Sequence, residues 1–424
     1  MQRLDSVRRC ERGLLLIASL ILLNGIAAVQ MAGGNINPSY LVVAIALCLA
    51  WFIVHSLVRR NKSSKGDPLL LPIIAVLVAI GLTIILRLKP QLFLLQTLWV
   101  AVGLIAFLGV CNLGRRLEEI AVYKYSIGMI GIVLLLATIL FGVEVGGNKN
   151  WIVLGPVRFQ PSEFAKLFII LFLASYLNER REVLAFATRH FGPLDVPQMR
   201  FIGPLVLVWG FAMLMLVFQR DLGSALLYFA TTLIMVYLAS GRISYIIIGV
   251  ILFLTGAVAC YYIFPHVQTR VDIWLNPWAD PTGRAYQIVQ SLFAFGAGGI
   301  LGSGLTYGFP DFIPEVHTDF VFAAIAEEMG FVGVAAVLTT YQILIYRAFR
   351  IALKAISPLL TLVAGGLAVF LALQIFLIIG GVVKFVPLTG ITLPFISYGG
   401  SSVVSNFMLV GLLFAVSEMR AVDA

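Results

Sequence analysis

Carboxylates, cations and hydroxyls recur in four short stretches of a chain that is otherwise apolar. At membrane depth each such group is costly enough to need a reason. In "RFQPSEFAK" (Arg158–Lys166), Pro161 suits the first turn of a helix and Glu163 falls near the positive end of its dipole. Lys166, three residues on, shares a face with Glu163 within ion-pair reach. A capped helix start with a local ion pair would explain this stretch structurally, yet the pair falls inside an apolar run. In "FQRDLGSA" (Phe218–Ala225), an Arg220–Asp221 step follows Gln219 and joins two apolar runs through a turn too short to leave the headgroup region. Asp221 can cap the helix that follows.

The third stretch is a long polar loop, about 265–317. Within it, "NPWADPTGRAYQ" (Asn276–Gln287) brackets Asp280–Pro281 with a further proline and a glycine, which is ordered turn chemistry and not a spacer. "RAYQIVQSLFAF" (Arg284–Phe295) has apolar residues at helical spacing, with Gln287, Gln290 and Ser291 on another face. It reads equally as an interfacial helix, with Trp274 and Trp278 as interfacial aromatics, or as a packing helix. "GAGGILGSG" follows it with no preceding strand and no full dinucleotide fingerprint, so a nucleotide site is not expected. The loop runs into "HTDFVFAAIAEEMG", where His317 and Asp319 open a span and Glu327–Glu328 lie ~13 Å deeper at 1.5 Å per residue. One of these glutamates is expected to be protonated or paired. The fourth stretch is "LPFISYGGSS" (Leu393–Ser402). Pro394 and the Gly399–Gly400 pair break a helix, and the hydroxyls of Ser397, Tyr398, Ser401 and Ser402 can satisfy the freed backbone or a ligand.

The elements that must position these groups are spans. Of 424 residues, 61% are hydrophobic and only 12% charged, about half the charge of a soluble domain. The expected fold is all-α: a polytopic integral membrane protein. Apolar runs of spanning length fall near 13–31, 40–58, 69–86, 92–111, 123–141, 161–178, 201–218, 222–240, 244–264, 318–346, 358–382 and 397–418, twelve in all. The first follows basic residues as a signal peptide would, but without a small-residue cleavage site it reads as a retained span. "RRNKSSKGDP" (Arg59–Pro68) is the most linker-like stretch. Residues 1–68 therefore read as a two-span extension with a cytoplasmic linker, and 69–420 as a ten-span core that includes the loop 265–317.

The net charge of +9 lies in short loops, where it sets topology and meets anionic lipid, so nucleic acid is not an expected partner. With the N-terminus inside, 20 of the 29 Lys and Arg residues fall on the cytoplasmic side. Both termini are then cytoplasmic and the loop holding Asp280 is outside. Cys10, Cys48, Cys111 and Cys260 form no CxxC pair and the four histidines no HExxH, so neither a redox motif nor a zinc site is expected.

At these residues the chain resembles the SEDS family (shape, elongation, division and sporulation proteins: FtsW, RodA, SpoVE). The resemblance rests on Gln160–Lys166, Gln219–Gly223, Asn276–Gln287, Ile313–Gly330 and Leu393–Ser402, in order and spacing, within about 69–420. Arg220, Ile313 and Thr392 depart from the family's usual proline, leucine and proline, and none of the departures removes a charge. The two additional N-terminal spans exceed the family's usual ten. "VPLTGITLPF" around Pro387 is the more RodA-like feature.

The resemblance implies a glycosyltransferase of the bacterial plasma membrane. It would polymerise lipid II into undecaprenyl-linked glycan on the outer face, release undecaprenyl pyrophosphate, and work with a class B penicillin-binding protein. It implies that Asp280 is the critical residue, as a base for the attacking 4-hydroxyl or as ligand of a divalent cation such as Mg or Mn. No tightly bound cofactor is implied. Arg158, Lys166, Arg220 and Arg284 are the candidate pyrophosphate partners. Gln160, Glu163, Gln219, Asp221, His317, Asp319, Glu327, Ser397, Tyr398, Gly399, Gly400 and Ser401 complete the expected substrate-binding set. The competing readings are a lipid II flippase and a scaffold for the penicillin-binding protein. Transport would want polar groups near the midplane and the inner half, whereas these lie on the outer half. A scaffold leaves the buried Glu327–Glu328 pair unexplained.

Overall fold

The structure is a computed structural model that describes residues 2–34, 36–60, 66–145, 148–155, 157–186, 188–191, 194–197, 210, 218–219 and 221–419. The chain is mostly helical. In order the described helices are α1 (Gln2–Ala32), α2 (Pro38–Val58), α3 (Leu70–Leu88), α4 (Pro90–Leu113), α5 (Leu117–Ala121), α6 (Lys124–Phe141) and α7 (Pro161–Phe186). They continue with α8 (Leu222–Ser240), α9 (Ile243–Ile263), α10 (Pro265–Leu275), α11 (Tyr286–Gly298), α12 (Val321–Leu353), α13 (Pro358–Val382) and α14 (Gly400–Glu418). Their starts follow local chemistry. Asn37 caps α2 by accepting the Ser39 N–H at 3.0 Å, with Pro38 in the first turn. Asp221 caps α8 in the same way, and α8 stops at Gly241 in the left-handed region (φ 66°). Within the spans, Ser19, Thr83, Thr97, Thr231 and Thr232 each donate to the carbonyl four residues back, so their hydroxyls cost little in an apolar setting.

Among the described residues, ten helices are long and apolar enough to cross a membrane. The sequence led us to expect twelve. The expected run at 161–178 is helical as α7, but it is not among the ten. Glu163 and Lys166 at one end, and Asn178, Glu179, Arg180, Arg181 and Glu182 towards the other, dilute its apolar stretch. The expected run at 201–218 falls almost entirely outside the described residues. A further difference is the presence of strands. β1 (Val143–Val145), β2 (Asn148–Leu154) and β3 (Val157–Phe159) form an antiparallel meander, with Val153 opposite Arg158. β4 (Thr188–Phe191) and β5 (Leu194–Pro197) form a hairpin. The β-branched and aromatic run Trp151–Ile152–Val153, closed by Gly155 at φ 62°, accounts for β2 turning into β3.

The chain divides into two compact units. The first comprises Met1–Asn112, Asp272–Arg347 and Ile375–Glu418. Its core is built on α3 and α14, whose side chains are nearly all buried. α1 packs along α3, with Gly25 seated on Thr83 so closely that a Cβ would come within 2.4 Å of the hydroxyl. The ends of the linker-like stretch are not loose. Arg59 pairs with Glu11 at 3.0 Å and donates to the Gly66 carbonyl at 3.1 Å. Asp67 is fully buried; it takes the Arg347 guanidinium at 2.5 Å, and its N–H donates to Ser417 Oγ at 2.8 Å.

The second unit comprises Leu113–Val271, Ala348–Gln374 and Met419–Ala424. α6, α7 and α8 form its core, with Phe172 filling the space opposite Gly128, and Tyr228 packing edge-on to Phe370. α9 turns Ile247, Ile251, Leu252, Leu254 and Val258 outward, as a lipid-facing span would.

Candidate active site

In the first unit, the Asp280 turn is assembled by its own neighbours. Pro277–Ala279 forms a single 3-10 turn that delivers Asp280. Asp280 Oδ2 accepts the Arg284 backbone N–H at 3.1 Å and its Nε at 3.4 Å, while the Asp280 carbonyl accepts the Ala285 N–H. Gly283 leaves room for this carboxylate position, because a Cβ there would lie 2.3 Å from Asp280 Oδ1. The Arg284 N–H, reinforced by its guanidinium and the Gly283 N–H, holds the Asp280 carboxyl below its ordinary value. Asp280 is therefore an ionised carboxylate at neutral pH. Its side chain is 42% exposed, open to a ligand while its backbone is fixed. α11 follows. Its buried face carries Ala285, Ile288 and Val289, and also Ser291, which donates to the Val382 carbonyl at 3.2 Å. Ser291 thus belongs to the packed face, not to the polar one the sequence suggested. α11 is a packing helix, and Trp278 rests against its Phe293.

The glycine run after α11 has a role that sequence reading missed. α12 is interrupted at Gly330 (φ 63°, ψ −165°). The interrupted main chain pairs with the loop: Ser303 N–H to the Glu327 carbonyl, Gly304 N–H to that of Glu328, and Phe331 N–H to that of Gly299. Gly298 permits this approach, since a Cβ there would fall 1.9 Å from the Ala326 carbonyl oxygen. The two glutamates finish the same joint. Glu327 Oε1 accepts the Phe309 N–H at 2.6 Å, and Glu328 Oε1 takes Arg87 Nε at 2.9 Å. Arg87 also donates to the Gly308 carbonyl at 3.0 Å and to Asp311 at 3.3 Å. Arg87, overlooked in the sequence because it ends an apolar run, is the cation that answers Glu328.

The fourth stretch is non-helical up to Gly400, as its proline and glycines require. Ser397 Oγ donates to the Thr318 carbonyl at 2.5 Å, the Tyr398 N–H reaches the His317 carbonyl at 2.9 Å, and the His317 and Tyr398 rings lie 5.8 Å apart. Gln96, a second residue that sequence reading missed, clamps the break from α4. Its Nε2 donates to the Ser397 carbonyl at 3.3 Å and its Oε1 accepts the Gly399 N–H at 3.2 Å. Asp319 sits between His317 and the start of α12, and Ser401 is buried in the first turn of α14. Partial burial lowers the His317 pKa against the opposing pull of Glu315, so its ring is neutral at pH 7.

In the second unit, Lys166 is 1% exposed. It pairs with Glu163 at 2.8 Å and lies 5.2 Å over the Phe370 ring. Tyr228 donates to the Ser162 carbonyl and fixes the start of α7. Asp221 accepts Ser224 N–H, Ser224 Oγ and, at 3.2 Å, Asn150 Nδ2 from β2. Gln219 is buried and donates to the Leu135 carbonyl at 2.7 Å. Arg158 is exposed on β3, next to Gln160. Arg220 lies outside the described residues.

The expected residues therefore group as Asp280 with Arg284, Glu327–Glu328 with Arg87, and His317 with Ser397–Tyr398–Gly399 in the first unit. In the second unit they group as Glu163 with Lys166, and Asp221 with Asn150. A divalent cation on Asp280 fits this donor set poorly. The single carboxylate already holds a guanidinium, and among the described residues no group of three His, Cys, Asp or Glu could hold a metal.

Residues 69–421 match the family model described as "Cell cycle protein", that of FtsW, RodA and SpoVE. The chain is 38% identical over 428 residues to "Peptidoglycan glycosyltransferase RodA" of Mycobacterium tuberculosis, covering 98% of this chain and 91% of the relative. It is 34% identical to "Stage V sporulation protein E" of Bacillus subtilis, covering 84% and 98%. A chain solved in "Structural coordination of polymerization and crosslinking by a peptidoglycan synthase complex" superposes with a TM-score of 0.71 at 30% identity, covering 84% of this chain and 99% of that one. The rod shape determining protein RodA of Thermus thermophilus superposes with a TM-score of 0.59 at 27% identity, covering 84% and 98%. With a family model matched over residues 69–421 and relatives above 30% identity along nearly the whole chain, the protein belongs to the FtsW/RodA/SpoVE family.

Proposed function

We propose that this protein is a peptidoglycan glycosyltransferase that polymerises lipid II into glycan strands. The observation that carries the reading is Asp280, an exposed, ionised carboxylate whose backbone is fixed in an ordered turn. In the reaction we assign, the 4-hydroxyl oxygen of the acceptor sugar attacks the anomeric carbon of the donor. The bond from that carbon to the pyrophosphate oxygen breaks with inversion, and undecaprenyl pyrophosphate leaves with the electron pair. Asp280 takes the hydroxyl proton. Arg284 orients the carboxylate between turnovers and must release its oxygen as the proton arrives. Arg284, exposed beside Asp280, is the cation we assign to anionic oxygens of substrate. The 20-to-9 distribution of basic residues supports an outward-facing Asp280 loop and cytoplasmic termini. A class B penicillin-binding protein is the partner we assign, and elongation the process, because relatives named RodA match along 98% of the chain. The domain reading also stands as ours: a two-span extension, 1–68, on a core, 69–420.

The transport alternative is weakened because Glu327, Glu328 and Asp67 are taken up by protein partners, as a fold-stabilising set is. The same partners mean that the glutamate pair no longer argues against a scaffold; the fixed, open Asp280 does. The test is purified protein, with and without its partner, given labelled lipid II, with glycan chains read on a gel. Chains made by the wild type are expected. Their absence under every partner condition would refute the reading.

A further inference from the structure

The turn between α1 and α2 carries a buried amide without a complete set of partners. Gln30 is 5% exposed, and its Oε1 accepts the Asn37 N–H at 2.7 Å. That bond fixes the amide's orientation, because the reversed amide would set donor against donor. Gln30 Nε2 is then a buried donor with no protein acceptor. A buried donor of this kind wants an acceptor from outside the chain, a water or a ligand.

Gln30 lines a cavity of about 770 Å³, shared by the α1–α2 turn, the facing ends of α3 and α4, and Thr306. That volume is in the range of small-molecule sites. Arg87 lines it too, and only three of its five N–H groups are used, by Glu328, Asp311 and Gly308. Asn37 adds a further amide, since only its Oδ1 is used, by Ser39. Val29, Ile36 and Leu86 form apolar wall. Unspent donors beside apolar wall complement a phosphate ester carried on acyl chains. Glu328 and Asp311 offset the Arg87 charge, so recognition runs through donors and does not select for net negative charge. Val29 to Pro38 lie outside the family model, which begins at residue 69, so one wall of the cavity belongs to the extension alone.

We propose that the two N-terminal spans exist in part to complete a binding site for the phosphodiester headgroup of a membrane phospholipid. The proposal does not rest on the polymerase reading, and its test contains no lipid II. Full-length protein in a phosphate-free maltoside detergent is labelled with a photoactivatable short-chain phosphatidylglycerol, and the modified peptides are mapped. Labelling is expected on peptides containing Val29–Tyr40 and Leu86–Pro90. Phosphatidylglycerol and phosphatidylethanolamine should both compete. Gln30→Glu keeps the acceptor for Asn37 but replaces the free donor with an acceptor, so labelling should fall about tenfold, the effect of losing one good hydrogen bond. Ala32→Phe fills the cavity and spares every donor, and should fall comparably. Equal competition by a diacylglycerol of the same chains would overturn the phosphate assignment, and competition by millimolar inorganic phosphate would overturn the lipid. Unchanged labelling in both variants would overturn the site.

Discussion

Asp280 and Arg284 form a pair whose two halves do different things. Asp280→Asn preserves size and most hydrogen bonds but removes basicity, so glycan synthesis from lipid II should fall by roughly 10²–10⁴-fold with accumulation unchanged. Near wild-type polymerisation by that variant would sink the assignment. Arg284→Ala deletes the guanidinium but keeps the backbone N–H, the largest single cause of the lowered carboxyl. The acid limb of the pH–rate profile should therefore move to higher pH only in part; an unmoved limb would mean that Asp280 does not set it. At His317 the folded pKa is lowered, so the unfolded chain binds more protons between the folded value and the ordinary ~6.5. The stability His317 confers is complete above that ordinary value and is lost as pH falls through the folded one. Glu315, Lys89 and Tyr398 are the groups around it. Thermal midpoints in detergent, compared between wild type and His317→Gln, should converge as the sample is acidified. Curves that stay parallel would refute it.

Elements matter here through their interruptions. The turn 280–285 works because residue 283 has no Cβ, so Gly283→Ala should push the carboxylate off the Arg284 N–H and mimic much of Asp280→Asn without touching a titratable group. The check is polymerase activity per molecule of inserted protein, and full activity would show that the tight turn is dispensable. Lys166→Ala leaves Glu163 largely buried without its cation, a loss of roughly 3–5 kcal/mol for a buried pair. Lys166→Arg restores the charge, so recovery of accumulation without recovery of synthesis would show that synthesis needs the lysine itself and not only a buried cation. At this scale the sequence was legible where the local signal is strong. Asp221, Pro161 and the SYGG break all appear as their chemistry required. Other features depend on partners far away in sequence. Gln96 and Arg87 look like stray polar residues until residues 397–399 and 308–328 are folded against them. The role of the glycines at 298–304 went unread, beyond the lack of a nucleotide fingerprint, because a main-chain pairing to an interrupted helix leaves no mark on local pattern. The strands at 143–159 were missed because short β-branched runs beside spans read as loop.

At the level of the whole molecule, the positive-inside count predicts that a cysteine at Thr282 reacts with an impermeant thiol reagent in intact cells. Labelling only after lysis would invert the assignment of sides. Charges as well as the packing of α1 on α3 hold the N-terminal spans: Glu11 to Arg59 and Arg59 to the Gly66 carbonyl link the first two helices to the stretch before α3, and the buried Asp67 ties that stretch to Arg347 of α12. Arg347→Met takes the guanidinium from a fully buried Asp67 and leaves it neutral donors such as the Leu69 N–H, so protein levels should drop, about 3–5 kcal/mol of stability being at stake. Normal levels would mean that the remaining donors suffice. The joint between the glycine run and the break in α12 also bears on how the chain can be handled. Anyone seeking a silent position for an epitope tag or a fluorescent fusion would be drawn to 299–304, the glycine-rich stretch of the large loop. Those residues hydrogen-bond to the main chain of α12 where it is interrupted, so a graft there would unseat Glu327 and Glu328 together.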